Sequence, residues 1–110
     1  MTKTISRQQI KSLLDDHAEL TLVEALPLKY YRKHHLPGAI NLPHDQTQEL
    51  APELLPDHDA LIVVYCANGA CTNSGIAAAA LTNLGYTNVA EYVEGKQDWL
   101  EAGLPLESGR

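Results

Sequence analysis

Cys66 and Cys71, with the residues around them, form the stretch of this sequence best equipped for chemistry. Leu61 to Tyr65 is an unbroken apolar run rich in β-branched residues, the pattern of a strand covered on both faces. Ser74 fits an N-cap, and Ile76, Ala77, Ala80, Leu81 and Leu84 recur at helical spacing as one apolar face. Gly85 follows as a C′ residue. Cys66 is therefore expected at the carboxyl end of a buried strand, just before a helix amino terminus. Open parallel sheets bind their ligands at that edge, and the helix dipole there favours a thiolate. A Cys in that place is a candidate nucleophile, although a lone Cys after a strand is also a common small core residue. Gly69 gives the loop the freedom to turn the N–H groups of Ala67, Asn68, Gly69, Ala70, Cys71 and Thr72 inward as an anion cradle. Asn68, Thr72 and Asn73 add side-chain donors. Cys71 is close enough in sequence to attack an oxidised Cys66, which would make the two a nucleophile and its resolving thiol. Phosphoryl transfer is disfavoured, because it needs an Arg to share equatorial charge and the loop has none.

The rest of the composition narrows the setting. A net charge of −6 argues against nucleic-acid binding. No apolar run reaches membrane-spanning length and the first residues lack a signal-peptide core, so a soluble, cytoplasmic protein with no membrane partner is expected. Two cysteines are too few for a disulfide framework, and nothing near them completes a zinc site, so no metal is expected. Hydrophobic residues make up 45% of the 110, enough for one domain over residues 1–110. With no Phe and 5% aromatics, an aliphatic core is expected.

The elements that must position the cysteines alternate along the chain. Thr4-Ile5 reads as a short strand, and Ser6 to Gln9 as a capping box opening a helix with Ile10, Leu13 and Leu14 on its apolar face. Leu20 to Glu24 reads as a strand, Leu28 to His34 as a short helix, and Ala39 to Leu42 as a brief strand. Asp45 to Leu55 predicts two helical pieces divided by Pro52. Val89 to Tyr92 predicts a strand, and Lys96 to Ala102 a helix with Trp99 and Leu100 toward the core. Tyr65 is expected to point the opposite way from Cys66. This alternation predicts an α/β fold with an open parallel sheet of about five strands and helices on both faces.

Several segments resemble the rhodanese-like domain family. Glu24, Tyr31 and His35-Leu36-Pro37-Gly38-Ala39-Ile40-Asn41-Leu42-Pro43 resemble its opening signature. Val63-Val64-Tyr65-Cys66 resembles the strand that delivers its nucleophile. Leu84-Gly85-Tyr86, Asn88-Val89, Gly95, Asp98-Trp99 and Ala102-Gly103-Leu104-Pro105 resemble its closing segment. The resemblance implies a rhodanese-like fold and a sulfurtransferase that carries sulfane sulfur as a persulfide on Cys66. Its partners would be a small sulfur donor, thiosulfate or a persulfide, and a thiol or other nucleophilic acceptor; the donor could also be another protein's persulfide. No bound cofactor is implied. The alternatives are a thiol redox enzyme using Cys66 and Cys71, and a non-catalytic module that binds a protein. The loop departs from the family's Cys-Arg-x-Gly-x-Arg-Ser pattern. Ala67 stands at the first Arg, either Cys71 or Asn73 at the second, and Ser74 at the Ser, so the loop reads as longer than usual. Glu24 replaces the usual Asp and Leu26 stands where an Arg is common, so the ion pair that relatives make there is not expected. Lys29, Arg32 and Lys33 are candidates to supply charge from outside the loop. Glu24 and His35 are candidate supports of the loop, though Glu24 reads more simply as a satisfied strand end and His35 as a structural hydrogen-bonding residue, as its counterpart in the family usually is.

Overall fold

The computed structural model describes residues 3–109. Five parallel strands form one sheet: β1 (Lys3–Thr4), β2 (Thr21–Glu24), β3 (Ile40–Asn41), β4 (Ile62–Tyr65) and β5 (Val89–Tyr92). Their order across the sheet is β1-β5-β4-β2-β3. The apolar run expected to be buried on both faces is the central strand: all four residues of β4 are buried. In register, Val63 lies between Leu22 and Ala90, and Tyr65 between Glu24 and Tyr92.

Period-two alternation sorts the side chains of β4 into two layers. Val63 and Tyr65 join Ile10 of α1 (Arg7–Asp15) and Trp99 of α5 (Gly95–Glu101) on one face. Ile62 and Val64 join Ala51 of α3 (Thr47–Leu54) and Ala77, Ala78 and Leu81 of α4 (Asn73–Asn83) on the other. Fully burying a valine contributes on the order of 2 kcal/mol, so two aliphatic layers around one strand give the sheet its anchor. A short helix, α2 (Leu28–Lys33), follows β2 and buries none of its own residues.

Several elements follow the expected chemistry. Ser6 and Gln9 make the reciprocal capping box that opens α1. Gly85, with φ +99, follows α4 in the left-handed region that glycine enters at little cost. Other expectations need correction. The core is not purely aliphatic: Trp99, Tyr65, Tyr86 and Tyr92 are all buried. Each satisfies its polar atom internally, Tyr86 by donating to the carbonyl of Leu55 and Trp99 by donating to that of Pro105. Pro52 does not divide the 45–55 segment. The change comes earlier, where a 3₁₀ turn at His44–Gln46 gives way to α3, and Pro52 rides inside that helix. Leu100 and Ile76 are not core residues but are 43% and 49% exposed, because each sits on the solvent side of its helix.

Candidate active site

Cys66 directly follows β4 and is 1% exposed. As expected, it turns away from Tyr65, toward the α3–α4 layer, where Ser74 Oγ lies 3.4 Å from its Sγ. Ser74 Oγ in turn donates to Glu91 Oε2 at 2.8 Å. The loop closes on itself, with Cys66 and Cys71 joined as a disulfide across a Cα–Cα distance of 6.4 Å. Helix α4 begins two residues earlier than expected, at Asn73 with Thr72 rather than Ser74 in the cap position. Ser74 is thus not the N-cap. Its hydroxyl is engaged by Glu91 rather than by the backbone of its own helix. Asn73 makes no side-chain hydrogen bond among the described residues.

The expected anion cradle is partly closed. Asn68 folds back in an Asx turn, and its side-chain and main-chain oxygens take the N–H groups of Ala70 (3.0 Å) and Cys71 (3.1 Å). The N–H groups of Ala67, Asn68, Gly69 and Thr72 have no acceptor among the described residues. Helix α5 supports the loop from below, its Lys96 and Gln97 N–H groups donating to the carbonyls of Cys66 and Ala67, each at 2.8 Å. This close approach requires Gly95. Its φ is +74, and a Cβ there would stand 2.7 Å from the Cys66 carbonyl oxygen and 2.8 Å from the Asn68 nitrogen.

Glu24 lies wholly buried at the end of β2. It orients no loop N–H; it accepts from the Tyr65 hydroxyl on Oε1 and from Lys96 Nζ on Oε2, both at 2.9 Å. The ion pair lost with the usual Arg is therefore replaced, with Lys96 supplying the cation from α5. Lys96 Nζ also donates to the carbonyls of His34 (2.6 Å) and Tyr30 (3.2 Å), so its three protons each have an acceptor. Burial first, and then the Glu24 charge, hold the Tyr65 phenol far above its ordinary pKa. The reading of the sequence missed Lys96. The signal was a strand-end carboxylate without its usual cation, which a fold can bury only with another partner.

His35 is structural in its contacts. Its Nδ1 donates to the Tyr31 carbonyl at 2.7 Å, its ring stacks on Tyr31 at 3.8 Å, and Glu107 lies 3.9 Å from Nε2. Of the three cations on α2, Lys33 shares a pocket with the first loop residue, Ala67. It lines a pocket of about 150 Å³ together with Ala67, Leu26, Tyr30, His34, Lys96, Gln97 and Leu100. Lys29 lies over the ring of Tyr30 instead, and neither Lys29 nor Arg32 lines that pocket. No helix among the described residues is long and apolar enough to cross a membrane.

Comparison with known proteins agrees with this fold. The chain is 35% identical over 91 residues, 83% of its length, to HTH-type transcriptional regulator Rv0324 of Mycobacterium tuberculosis. It is 37% identical over 59 residues, 54% of its length, to the thiosulfate sulfurtransferase PspE of Escherichia coli. It spans 39% and 55% of those two relatives. A crystal structure of thiosulfate sulfurtransferase from Pseudomonas aeruginosa superposes with a TM-score of 0.87 at 31% identity, over 99% of this chain and 21% of that one. The model of the rhodanese-like domain matches residues 6–102. A five-stranded parallel sheet that presents Cys66 at its carboxyl edge, and a family match over most of the chain, lead to one conclusion: this chain belongs to the rhodanese-like domain family.

Proposed function

We propose that this domain is a sulfurtransferase that carries sulfane sulfur on Cys66. The observation that carries the reading is the position of Cys66: it ends the central strand, and its Sγ faces Ser74 in the first turn of α4. The Cys66 thiolate attacks the outer sulfur of thiosulfate or of a persulfide. A bond forms between Sγ and that sulfur, and sulfite or a thiolate leaves with the bonding pair. The N–H groups of Ala67, Asn68, Gly69 and Thr72 are available to receive the negative charge of the outer sulfur. Lys33, at the rim of the neighbouring pocket, supplies a cation that the loop lacks. An acceptor thiolate then takes the outer sulfur and returns Cys66 as a thiolate.

The Cys66–Cys71 bond favours a second reading, in which Cys71 completes the cycle. The Cys71 thiolate attacks Cys66 Sγ of the persulfide, a disulfide forms, and hydrosulfide leaves. An external dithiol would then reduce the disulfide and become a disulfide itself.

Thiocyanate formation from thiosulfate and cyanide separates the two. Cys66→Ser should abolish turnover in both cases. Cys71→Ser should leave transfer to cyanide intact under the carrier reading, and should abolish sulfide release with a dithiol under the second. Transfer to cyanide by Cys66→Ser at the wild-type rate would overturn both.

A further inference from the structure

The hydroxyl of Ser74 has one proton and two neighbours that compete for it. It donates to Glu91 Oε2 at 2.8 Å while standing 3.4 Å from Cys66 Sγ, which in this structure is bonded to Cys71 and on reduction becomes a thiol. A lone pair of the hydroxyl therefore faces the sulfur. That suits a thiol, whose S–H can donate to Ser74 Oγ, and it opposes a thiolate, which needs a donor. To stabilise a thiolate the hydroxyl must turn round, leaving the Glu91 carboxylate one donor short. While Cys66 is the neutral thiol, the carboxylate is the only charged acceptor the hydroxyl meets, and a bond to it is roughly twice as strong as one to a neutral acceptor.

The surroundings hold Glu91 in this role. Its backbone is fixed in β5 opposite Val64 of β4. Its carboxylate lies against the first turn of α4, where a Cβ on Gly75 would be in ordinary contact with its two oxygens, at 3.6 Å and 3.9 Å. Lys96 of α5 and Glu24 of β2 neutralise each other in their ion pair near the end of β4, and Lys33 of α2 lines the pocket on the Ala67 side. Helix α4 carries no charged residue, and the loop carries no ionisable side chain except Cys71.

Building on the carrier reading above, we propose that Glu91 is a positioning residue that aims the Ser74 hydroxyl away from Cys66, so that the site favours the thiol until Ser74 is released to the sulfur. When Cys66 ionises, its proton leaves to solvent, and the proton of Ser74 only changes acceptor.

The test uses thiol reactivity, which needs no sulfur donor, so its failure is distinct from a failure of sulfur transfer. In a Cys71→Ser background, the rate of Cys66 alkylation by iodoacetamide is followed against pH by intact mass. Glu91→Gln should lower the midpoint by on the order of 1 pH unit, about tenfold more thiolate below it. With Ser74→Ala also present, the same Glu91→Gln change should lower the midpoint by less than half as much. Circular dichroism verifies the fold of each variant, and Glu91→Ala replaces Glu91→Gln if the latter does not fold. No downward shift would overturn the proposal. A shift that survives Ser74→Ala by half or more would also overturn it, because Glu91 would then act on the sulfur by its field alone.

Discussion

Glu24 shows how strongly a single buried charge constrains this site. A carboxylate with no exposure is tolerated only with matched partners, and Lys96 and Tyr65 supply them. Lys96→Met should therefore destabilise the fold by about 3–5 kcal/mol in urea unfolding, since it leaves the carboxylate buried and unpaired. Adding Glu24→Gln to that variant should recover part of the loss. A cost of Lys96→Met near zero would show that the pair is solvated. Glu24 and Cys66 were both legible in the sequence, each marked by its place at a strand end. Lys96 and Glu91 were not, because each acts across the fold: Lys96 is 72 positions from Glu24, and Glu91 is 17 from Ser74. No local pattern encodes such pairs; only the sheet order brings β2, β4 and β5 side by side.

Among the elements, the junction of β4 with α5 is the tightest. Gly95→Ala should cost more than about 2 kcal/mol, combining a left-handed backbone with a Cβ that meets the Cys66 carbonyl. Gly103 has almost the same φ, +75, but nothing within 4 Å of its would-be Cβ, so Gly103→Ala should cost about 1 kcal/mol less or better. Thermal unfolding of the two variants measures the difference, and equal losses would contradict the close approach beneath the loop. Element types were readable because hydrophobic period and capping chemistry agree at most places, as at Ser6 and in β4. The start of α4 was misplaced because Thr72, Asn73 and Ser74 all suit a cap, and the Ser74 hydroxyl is engaged by Glu91 on another strand instead of capping. Leu100 was assigned inward as an apolar neighbour of Trp99 and Ile76 by its helical spacing with Ala77, Ala80, Leu81 and Leu84, yet apolar side chains also occupy solvent faces.

For the molecule as a whole, the buried tyrosines set the alkaline limit of stability. Burial first, with Glu24 beside Tyr65 and Asp98 accepting from Tyr92, raises both phenols far above their ordinary value of 10.0. The unfolded chain therefore loses these protons first. Their contribution to stability is complete below about pH 10 and falls as pH rises further, by about 1.4 kcal/mol per pH unit for each tyrosine kept neutral in the fold. Urea unfolding between pH 9 and about pH 11 should show this decline, and Tyr65→Phe should make it shallower by about one tyrosine's share. An unchanged slope would mean that Tyr65 ionises in the folded state.

Sulfur carriage at Cys66 is tested most directly by intact-mass spectrometry without added reductant, after exposure to thiosulfate and, separately, to a low-molecular-weight persulfide. A persulfide carrier gains one sulfur atom in the wild type and none in Cys66→Ser. A loss of two hydrogens instead marks the Cys66–Cys71 disulfide of the second reading. No mass change with either reagent on the reduced wild-type protein, or an equal gain on Cys66→Ser, would contradict the assignment of Cys66 as the carrier.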